Sequence, residues 1–187
     1  PPKASWGTSE ELTRFYRVAH ERGHLMMPYT NTSWWGIDPK GPTFEREGEA
    51  PLALTREGQF NREHYGSKVG YSICFWHPAV QASHRQVRHD LSVTYPNDIL
   101  FQDQVGARPW HWNYHPLEPR KASARDGMHS LSMEDAEHVS LATEDGHDRV
   151  VNFETMICGC AWGTIPARGQ FSRSEERRVG KECIAVC

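Results

Sequence analysis

The 187 residues are enough for one domain with its own core, and the 37% hydrophobic content is typical of a globular protein. A formal net charge of −3 offers no basic surface for nucleic acid, which excludes that class of partner. The sequence has no run of about 18 apolar residues, so it predicts no membrane-spanning segment either.

Both ends of the chain are expected to be incomplete. The start, PPKASWGTSE, carries neither an initiator Met nor a signal peptide, so we expect the chain to begin inside a longer protein. Residues 173–183 read RSEERRVGKEC and resemble the translation of a short-read sequencing adapter, the alternative being a charged helix. We therefore expect a domain fragment at 1–172 and a non-native tail at 173–187. The compartment stays open, with a secreted or periplasmic location slightly favoured.

The first third of the chain predicts one helix, one strand and a long aromatic loop. Ser9 is the expected N-cap of the helix, and apolar residues recur at helical spacing up to Arg22 and Gly23. The apolar run HLMMPY, 24–29, predicts a strand, and TNTSWWGIDPKGP after it predicts a loop. Residues 38–67 are expected to be irregular apart from a short helix.

Strands and helices are expected to alternate from residue 69 onward. Apolar runs predict three more strands, and a segment with helical character follows each of them. The predicted strands are 69–76, 99–103 and 141–145, and the predicted helices are 78–95, 123–139 and 147–159.

This alternation predicts an α/β fold with a parallel sheet. The long, aromatic loops all follow strands, whereas the loops that follow helices are short, which is typical of a (β/α)8 TIM barrel. We expect about four βα units of a truncated barrel, with poor solubility because the missing remainder of its own barrel would leave sheet edges and an apolar face open. A doubly wound sheet is the alternative, but it usually carries a Gly-rich phosphate loop, and this sequence has none.

Two acids stand at the ends of consecutive predicted strands. Asp103 ends ILFQD, and Glu144 lies near the end of the next predicted strand, LATED. Since adjacent strands are ~4.8 Å apart, such acids can face each other across ~5–9 Å, the range of glycosidase carboxylate pairs. One would serve as nucleophile or base and the other as proton donor. The structural alternative for Asp103 is a helix cap or an ion pair with Arg108.

Aromatic residues cluster in the same predicted loops. Indoles stack on the apolar faces of sugar rings, and polar side chains can bond the hydroxyls, so we expect a carbohydrate substrate at this face. The stacking candidates are Tyr29, Trp34, Trp35, Trp76, Trp110 and Trp112, and the hydroxyl-binding candidates are Asn31, His77 and Arg108. For any single Trp, packing at the rim is the competing interpretation.

A metal-dependent hydrolase is a further alternative. His77, His111, His115, His147 and Asp148 could supply ligands, but no HxH motif ends a strand and no HExxH motif occurs. The five cysteines form neither a paired CxxC motif nor a disulfide framework. We therefore expect no metal and no cofactor.

Three motifs carry a resemblance to a known family. GHLMMPYTNTSWW, ILFQDQVGARPW and LATEDGHD together resemble an uncharacterised, mostly bacterial glycoside-hydrolase-like family of TIM barrels, over roughly residues 24–148. That family is similar in layout to the α-galactosidase and endo-α-N-acetylgalactosaminidase barrels.

The resemblance implies a retaining glycosidase with Asp103 as nucleophile and Glu144 as acid/base. Asp148, in the same loop as Glu144, is the fallback and a substrate-binding candidate. Many relatives carry a second acid two residues before the nucleophile, where this chain has Phe101. A non-catalytic carbohydrate-binding barrel remains the second hypothesis.

Overall fold

The computed structural model describes Ser5 and residues 7–38, 40–108 and 111–158. The expected boundary at 172, the expected tail and Trp110 lie outside these residues. The strands are β1 (Tyr29–Asn31), β2 (Trp34–Asp38), β3 (Arg62–Tyr65), β4 (Lys68–Ser72), β5 (Ile99–Asp103), β6 (Ser140–Glu144) and β7 (Met156–Cys158). The α-helices are α1 (Ser9–Glu21), α2 (Pro42–Glu47), α3 (Pro78–His89) and α4 (Ala124–Ala136).

A four-stranded parallel sheet forms the centre of the fold, in the order β1-β5-β6-β7. Helix α3 precedes β5 and α4 connects β5 to β6, as in the βα units of a barrel. A second sheet, with the order β2-β4-β3, is antiparallel and lies in the chain between β1 and α3. The described part of the chain thus combines a run of parallel barrel strands with an antiparallel insertion.

The hydrophobic core lies between the helices and one face of the parallel sheet. Leu100 of β5 and Leu141 of β6 pack in one cluster with Val80 of α3 and with Met128 and Leu131 of α4. Each of these side chains is at most 4% exposed, so they supply much of the apolar area buried on folding.

The other face of the sheet is open in the described part of the chain. Because side chains alternate along a strand, Phe101 points away from the helices and stacks on Tyr29 at a centroid distance of 5.8 Å. Tyr29 is 65% exposed, and Leu25 and Met27 just before it are 70% and 43% exposed. This is the face that would line the interior of a closed barrel.

Local signals explain the helix boundaries. Thr8, not the expected Ser9, is the N-cap of α1, since its hydroxyl accepts from Glu11 N and the Glu11 carboxylate accepts from Thr8 N in a capping box. Gly23 follows the helix with φ +79°, a left-handed conformation that suits glycine. His77 caps α3 by accepting from Ala79 N, directly before Pro78.

Two predictions were wrong about the segments that form the antiparallel sheet. The segment predicted as strand 69–76 forms β4 at Lys68–Ser72, which pairs antiparallel with β2 and β3 and lies outside the parallel sheet. The aromatic segment predicted as a loop supplies β2 itself. Both errors concern pairing between segments about 35 residues apart, which local composition does not specify.

Two further boundaries differ from expectation. The strand predicted at 24–29 begins only at Tyr29, because Pro28 has no N–H to donate to a ladder. Residues 147–159, predicted as a helix, contain turns and then β7, the fourth parallel strand. The strand at 99–103 and the helices beginning near residues 9, 78 and 124 were confirmed.

A polar network is buried between β5 and the two helices. Asp135 of α4 is 1% exposed and accepts hydrogen bonds from His84 Nε2 at 2.5 Å and Gln102 Nε2 at 2.6 Å. Arg88 adds a contact of 3.2 Å, and Ser132 donates to Gln102 Oε1 at 2.7 Å. The network holds β5 at the residue that precedes Asp103.

Glu154, just before β7, is expected to make stability fall as pH rises. It is 9% exposed, neither carboxylate oxygen has a hydrogen-bond partner among the described residues, and burial raises its pKa from 4.5 to about 8. Below pH 4.5 the group is neutral in both states, whereas between 4.5 and 8 the unfolded chain ionises first, which favours unfolding. At pH 7 the cost is roughly 3 kcal/mol.

Urea unfolding at pH 5 and pH 8 measures this effect in the full-length protein. The wild type should lose more stability between these values than Glu154→Gln, and the exposed Glu137→Gln should behave like the wild type. Equal losses in the wild type and Glu154→Gln would contradict the assignment.

No helix in the described part of the chain is long and apolar enough to cross a membrane.

Candidate active site

The carboxyl ends of the parallel strands carry a row of polar side chains. Asn31 of β1 pairs in register with Asp103 of β5, and Glu144 of β6 pairs with Cys158 of β7. Gln102 pairs with Thr143, so Asp103 and Glu144 follow as the next residues in the same row. Side chains in one row of a parallel sheet point to the same side, which brings this set together at one edge.

Asp103 receives two hydrogen bonds on one carboxylate oxygen. Tyr29 Oη donates to Oδ2 at 2.5 Å and Asn31 Nδ2 donates to the same atom at 3.1 Å. The pKa of Tyr29 is raised to about 12 by desolvation of its hydroxyl and by the hydrogen bond and charge of Asp103. Tyr29 therefore stays protonated and remains a donor at neutral pH.

The Glu144 carboxyl group lies within hydrogen-bonding reach of Asp103. Burial raises the pKa of Glu144, and the hydrogen bond and negative charge of Asp103 raise it further, with a smaller contribution from Asp145. A negative charge close to a carboxyl group disfavours ionisation of that group. At a given pH, Glu144 is therefore protonated more often than an isolated glutamate side chain.

The chain turns sharply straight after each acid. Gln104 and Asp145 have φ values of +68° and +58°, which non-glycine residues adopt at a cost of order 1 kcal/mol. The two turns touch, since a methyl group added to Gly106 would lie 2.2 Å from the Asp145 carbonyl oxygen. Gly106 N also donates to Thr143 Oγ1 at 2.9 Å, so only glycine allows these turns to approach so closely.

An aromatic platform from the antiparallel sheet adjoins Asp103. Trp34 and Tyr65 stack with ring centroids 5.2 Å apart, and the Trp34 ring lies directly over Gly70. Tyr65 Oη donates to Gln104 Oε1 at 2.6 Å, which ties the platform to the residue after Asp103. An exposed ring pair beside two carboxyl groups is suited to the apolar face of a sugar.

The sequence analysis did not name Tyr65 because residues 38–67 were expected to be irregular apart from a short helix. A signal was present, however. Tyr65 pairs with Lys68, so Gly66 and Ser67 form a two-residue hairpin turn, and Gly66 has φ +60°. A Gly-Ser pair between β-prone residues predicts such a hairpin.

The remaining sequence candidates fall in other places. Arg108 is 4% exposed and pairs with Glu63, and Trp35 belongs to the hydrophobic core. Trp76 donates to Ser123 O near α4.

Asp148 has a 97% exposed side chain directed to solvent. His77 caps α3 as described, and Trp110 is outside the described residues. None of these described side chains forms a hydrogen bond with Asp103 or Glu144 itself, whereas Tyr29 and Asn31 bond Asp103 and Trp34 lies beside them.

Three of the histidines considered as metal ligands, namely His77, His115 and His147, accept hydrogen bonds from nearby backbone N–H groups. His115 accepts from Leu117 N and contacts Ala50 O at 2.9 Å, and His147 accepts from Arg149 N. Within the described ranges, no three His, Cys, Asp or Glu side chains converge so as to hold a metal ion. Cys74 is buried and its thiol contacts Glu118, whereas Cys158 is exposed.

Comparison with solved structures identifies the class of fold. An α-N-acetylgalactosaminidase from Bifidobacterium bifidum, in complex with GalNAc, matches with a TM-score of 0.69 at 13% identity, over 84% of this chain and 25% of that chain. A GH31 sulfoquinovosidase from E. rectale matches with a TM-score of 0.59 at 12% identity, over 78% and 23%. An α-galactosidase from Thermus thermophilus matches with a TM-score of 0.57 at 14% identity, over 78% and 29%.

These similarities show the fold, which is a partial (β/α)8 barrel of the type found in glycoside hydrolases. The chain spans about a quarter of the length of the proteins that it matches. No protein-family model and no curated sequence matches it. The expected resemblance to glycosidase barrels is therefore confirmed at the level of the fold.

Proposed function

We propose that this chain carries the carboxyl pair of a retaining glycoside hydrolase that acts on an oligosaccharide or glycan. The observation that supports this most is the Asp103–Glu144 contact, in which the neighbouring charge and burial raise the pKa of Glu144. Asp103 is the nucleophile and Glu144 is the acid that protonates the leaving oxygen. The open face of the sheet would be covered by further strands of the same barrel.

The donors on Asp103 suggest which oxygen attacks. Oδ2 already accepts from Tyr29 and Asn31, so Oδ1 is the oxygen that would bond the anomeric carbon. The two fixed donors would hold the carboxylate in one orientation during the attack, which lowers the entropic cost of reaching the transition state. The Trp34–Tyr65 platform would support the sugar ring beside it.

The closeness of the two carboxyl groups also has to be explained. Retaining pairs are usually about 5–5.5 Å apart, whereas here the two carboxyl groups are within hydrogen-bonding reach of each other. In the proposed enzyme, the glycosidic oxygen enters between them and takes over the Glu144 hydrogen bond. The same closeness favours a second candidate, a carbohydrate-binding barrel in which both carboxyl groups bind sugar hydroxyls and no bond is broken.

Glu144→Gln is expected to lower the rate of hydrolysis most for substrates whose leaving group needs a proton. Hydrolysis of an oligosaccharide should fall by about 10²- to 10⁴-fold, because the alkoxide leaving group needs a proton. Hydrolysis of an activated nitrophenyl glycoside, which leaves without one, should fall much less. Nitrophenyl α-galactoside and α-N-acetylgalactosaminide are the first substrates to test, following the names of the similar proteins.

The pH profile of the same variant provides a second readout. In the wild type, the rate should fall as pH rises through the raised pKa of Glu144, because only the protonated form donates. That decline should disappear in Glu144→Gln and persist in the exposed control Glu57→Gln. Binding of sugar without hydrolysis by any form would support the carbohydrate-binding barrel.

A further inference from the structure

A chain of hydrogen bonds connects the antiparallel insertion to Asp103. It runs from Glu63 of β3 through Arg108 and Ser33 to Asn31, whose amide donates to Asp103 Oδ2. Arg108 and Ser33 are 4% and 0% exposed, so the middle of the chain is shielded from water. The sequence analysis treated Arg108 as a sugar-binding residue, yet its guanidinium is already engaged with protein groups.

The direction of each bond is determined by donor chemistry. A guanidinium has no acceptor, so Arg108 must donate to Ser33 Oγ, at 3.0 Å. The single hydroxyl hydrogen of Ser33 is then directed to Asn31 Oδ1, at 2.8 Å, and Ser33 N donates to the same oxygen at 3.0 Å. With Oδ1 bound twice, the Asn31 amide can only present its NH₂ group to Asp103.

Glu63 determines where Arg108 sits. Its two carboxylate oxygens accept from Arg108 Nη1 at 2.6 Å and Nη2 at 3.0 Å, in a bidentate pair. Such a pair constrains the plane of the guanidinium as well as its position. Because Nη2 also reaches Ser33, a change at Glu63 moves the donor that orients the Ser33 hydroxyl.

We infer that Glu63, Arg108 and Ser33 are positioning residues that orient the Asn31 amide toward the Asp103 carboxylate. This inference rests on the proposed role of Asp103 as nucleophile, and it gives the antiparallel insertion a function in the reaction. Asn31 and Tyr29 contact the reacting carboxylate, whereas Glu63, Arg108 and Ser33 act through Asn31.

Glu63→Gln in the full-length protein tests the inference. The variant keeps the shape of Glu63 but loses the charge and one acceptor, so kcat should fall roughly 10- to 100-fold with KM nearly unchanged. Glu63→Asp, which keeps the charge, should recover part of the rate, and the exposed Glu57→Gln should match the wild type.

A crystal structure of Glu63→Gln separates this inference from the proposed function. A displaced or rotated Asn31 amide together with the kcat loss supports the positioning role, whereas an unmoved amide or an unchanged kcat overturns it. If the wild type hydrolyses no glycoside, the proposed function fails. The orientation of the Asn31 amide in the crystal structure then tests by itself whether Glu63, Arg108 and Ser33 position it. If Glu63→Gln does not fold, Ser33→Ala, which removes only the hydroxyl, carries the same two measurements.

Discussion

Asp103→Asn is expected to lower kcat by at least about 10⁴-fold while sugar binding persists. Asparagine has the same shape as aspartate and its amide oxygen can still accept from Tyr29 and Asn31, so the local structure should be retained. The neutral amide cannot form the glycosyl–enzyme bond, which removes the lower-barrier route through a covalent intermediate. The loss should therefore appear in kcat rather than in binding.

Paired measurements of turnover and affinity test this expectation. Nitrophenyl glycoside hydrolysis gives kcat, and calorimetric titration of the reaction product gives the affinity of each variant. Glu57→Gln, which removes one exposed negative charge, is the control and should retain both. Hydrolysis by Asp103→Asn at a tenth of the wild-type rate or more would show that another group is the nucleophile.

Asp135→Ala is expected to cost about 3–5 kcal/mol in the free energy of unfolding. Asp135 is 1% exposed and is the common acceptor for His84, Gln102 and Arg88. Its loss would leave His84 Nε2 and Gln102 Nε2 without their buried acceptor, although Arg88 keeps its bond to Glu134, and such a loss is more costly than that of an exposed ion pair. Since Gln102 precedes Asp103, the strand that carries the proposed nucleophile should also loosen.

Glu134→Ala is the matched control for this variant. Glu134 is the neighbouring acid on α4 and bonds Arg85 and Arg88, but its side chain is 31% exposed, so its loss should cost about 1 kcal/mol or less. Urea unfolding of the full-length protein, followed by tryptophan fluorescence, compares the two. Equal losses for the two variants would mean that the buried network is not the source of the stability.

The site was partly predictable because its key residues follow local patterns. Asp103 and Glu144 each end a short apolar run, and parallel strands bring such ends to one edge, so their proximity follows from the fold class. Tyr29 and Asn31 lie at the end of the first strand for the same reason. The direct contact of the two carboxyl groups, by contrast, depends on strand register and side-chain orientation.

The aromatic candidates show that composition alone does not predict which face of a strand a side chain occupies. Trp34 and Trp35 are neighbours in the sequence, yet Trp34 stacks on Tyr65 beside Asp103 and Trp35 is buried in the core. Successive side chains of a strand point to opposite faces, so assigning both to one loop face required that the segment not be a strand. Once β2 pairs with β4, the two indoles must separate.

Sequence alone determined the helices that begin near residues 9, 78 and 124, the central strand 99–103, and the two strand-end acids, because these depend on residues within a few positions of one another. Tertiary structure alone decided the antiparallel insertion, the fourth parallel strand and the role of Arg108. Each of these depends on contacts between distant segments, such as Arg108 with Glu63, whose free energy arises only when the chain brings them together. Arg108 was therefore predicted from the sequence as a sugar ligand, whereas in the fold it is buried and bonds Glu63 and Ser33.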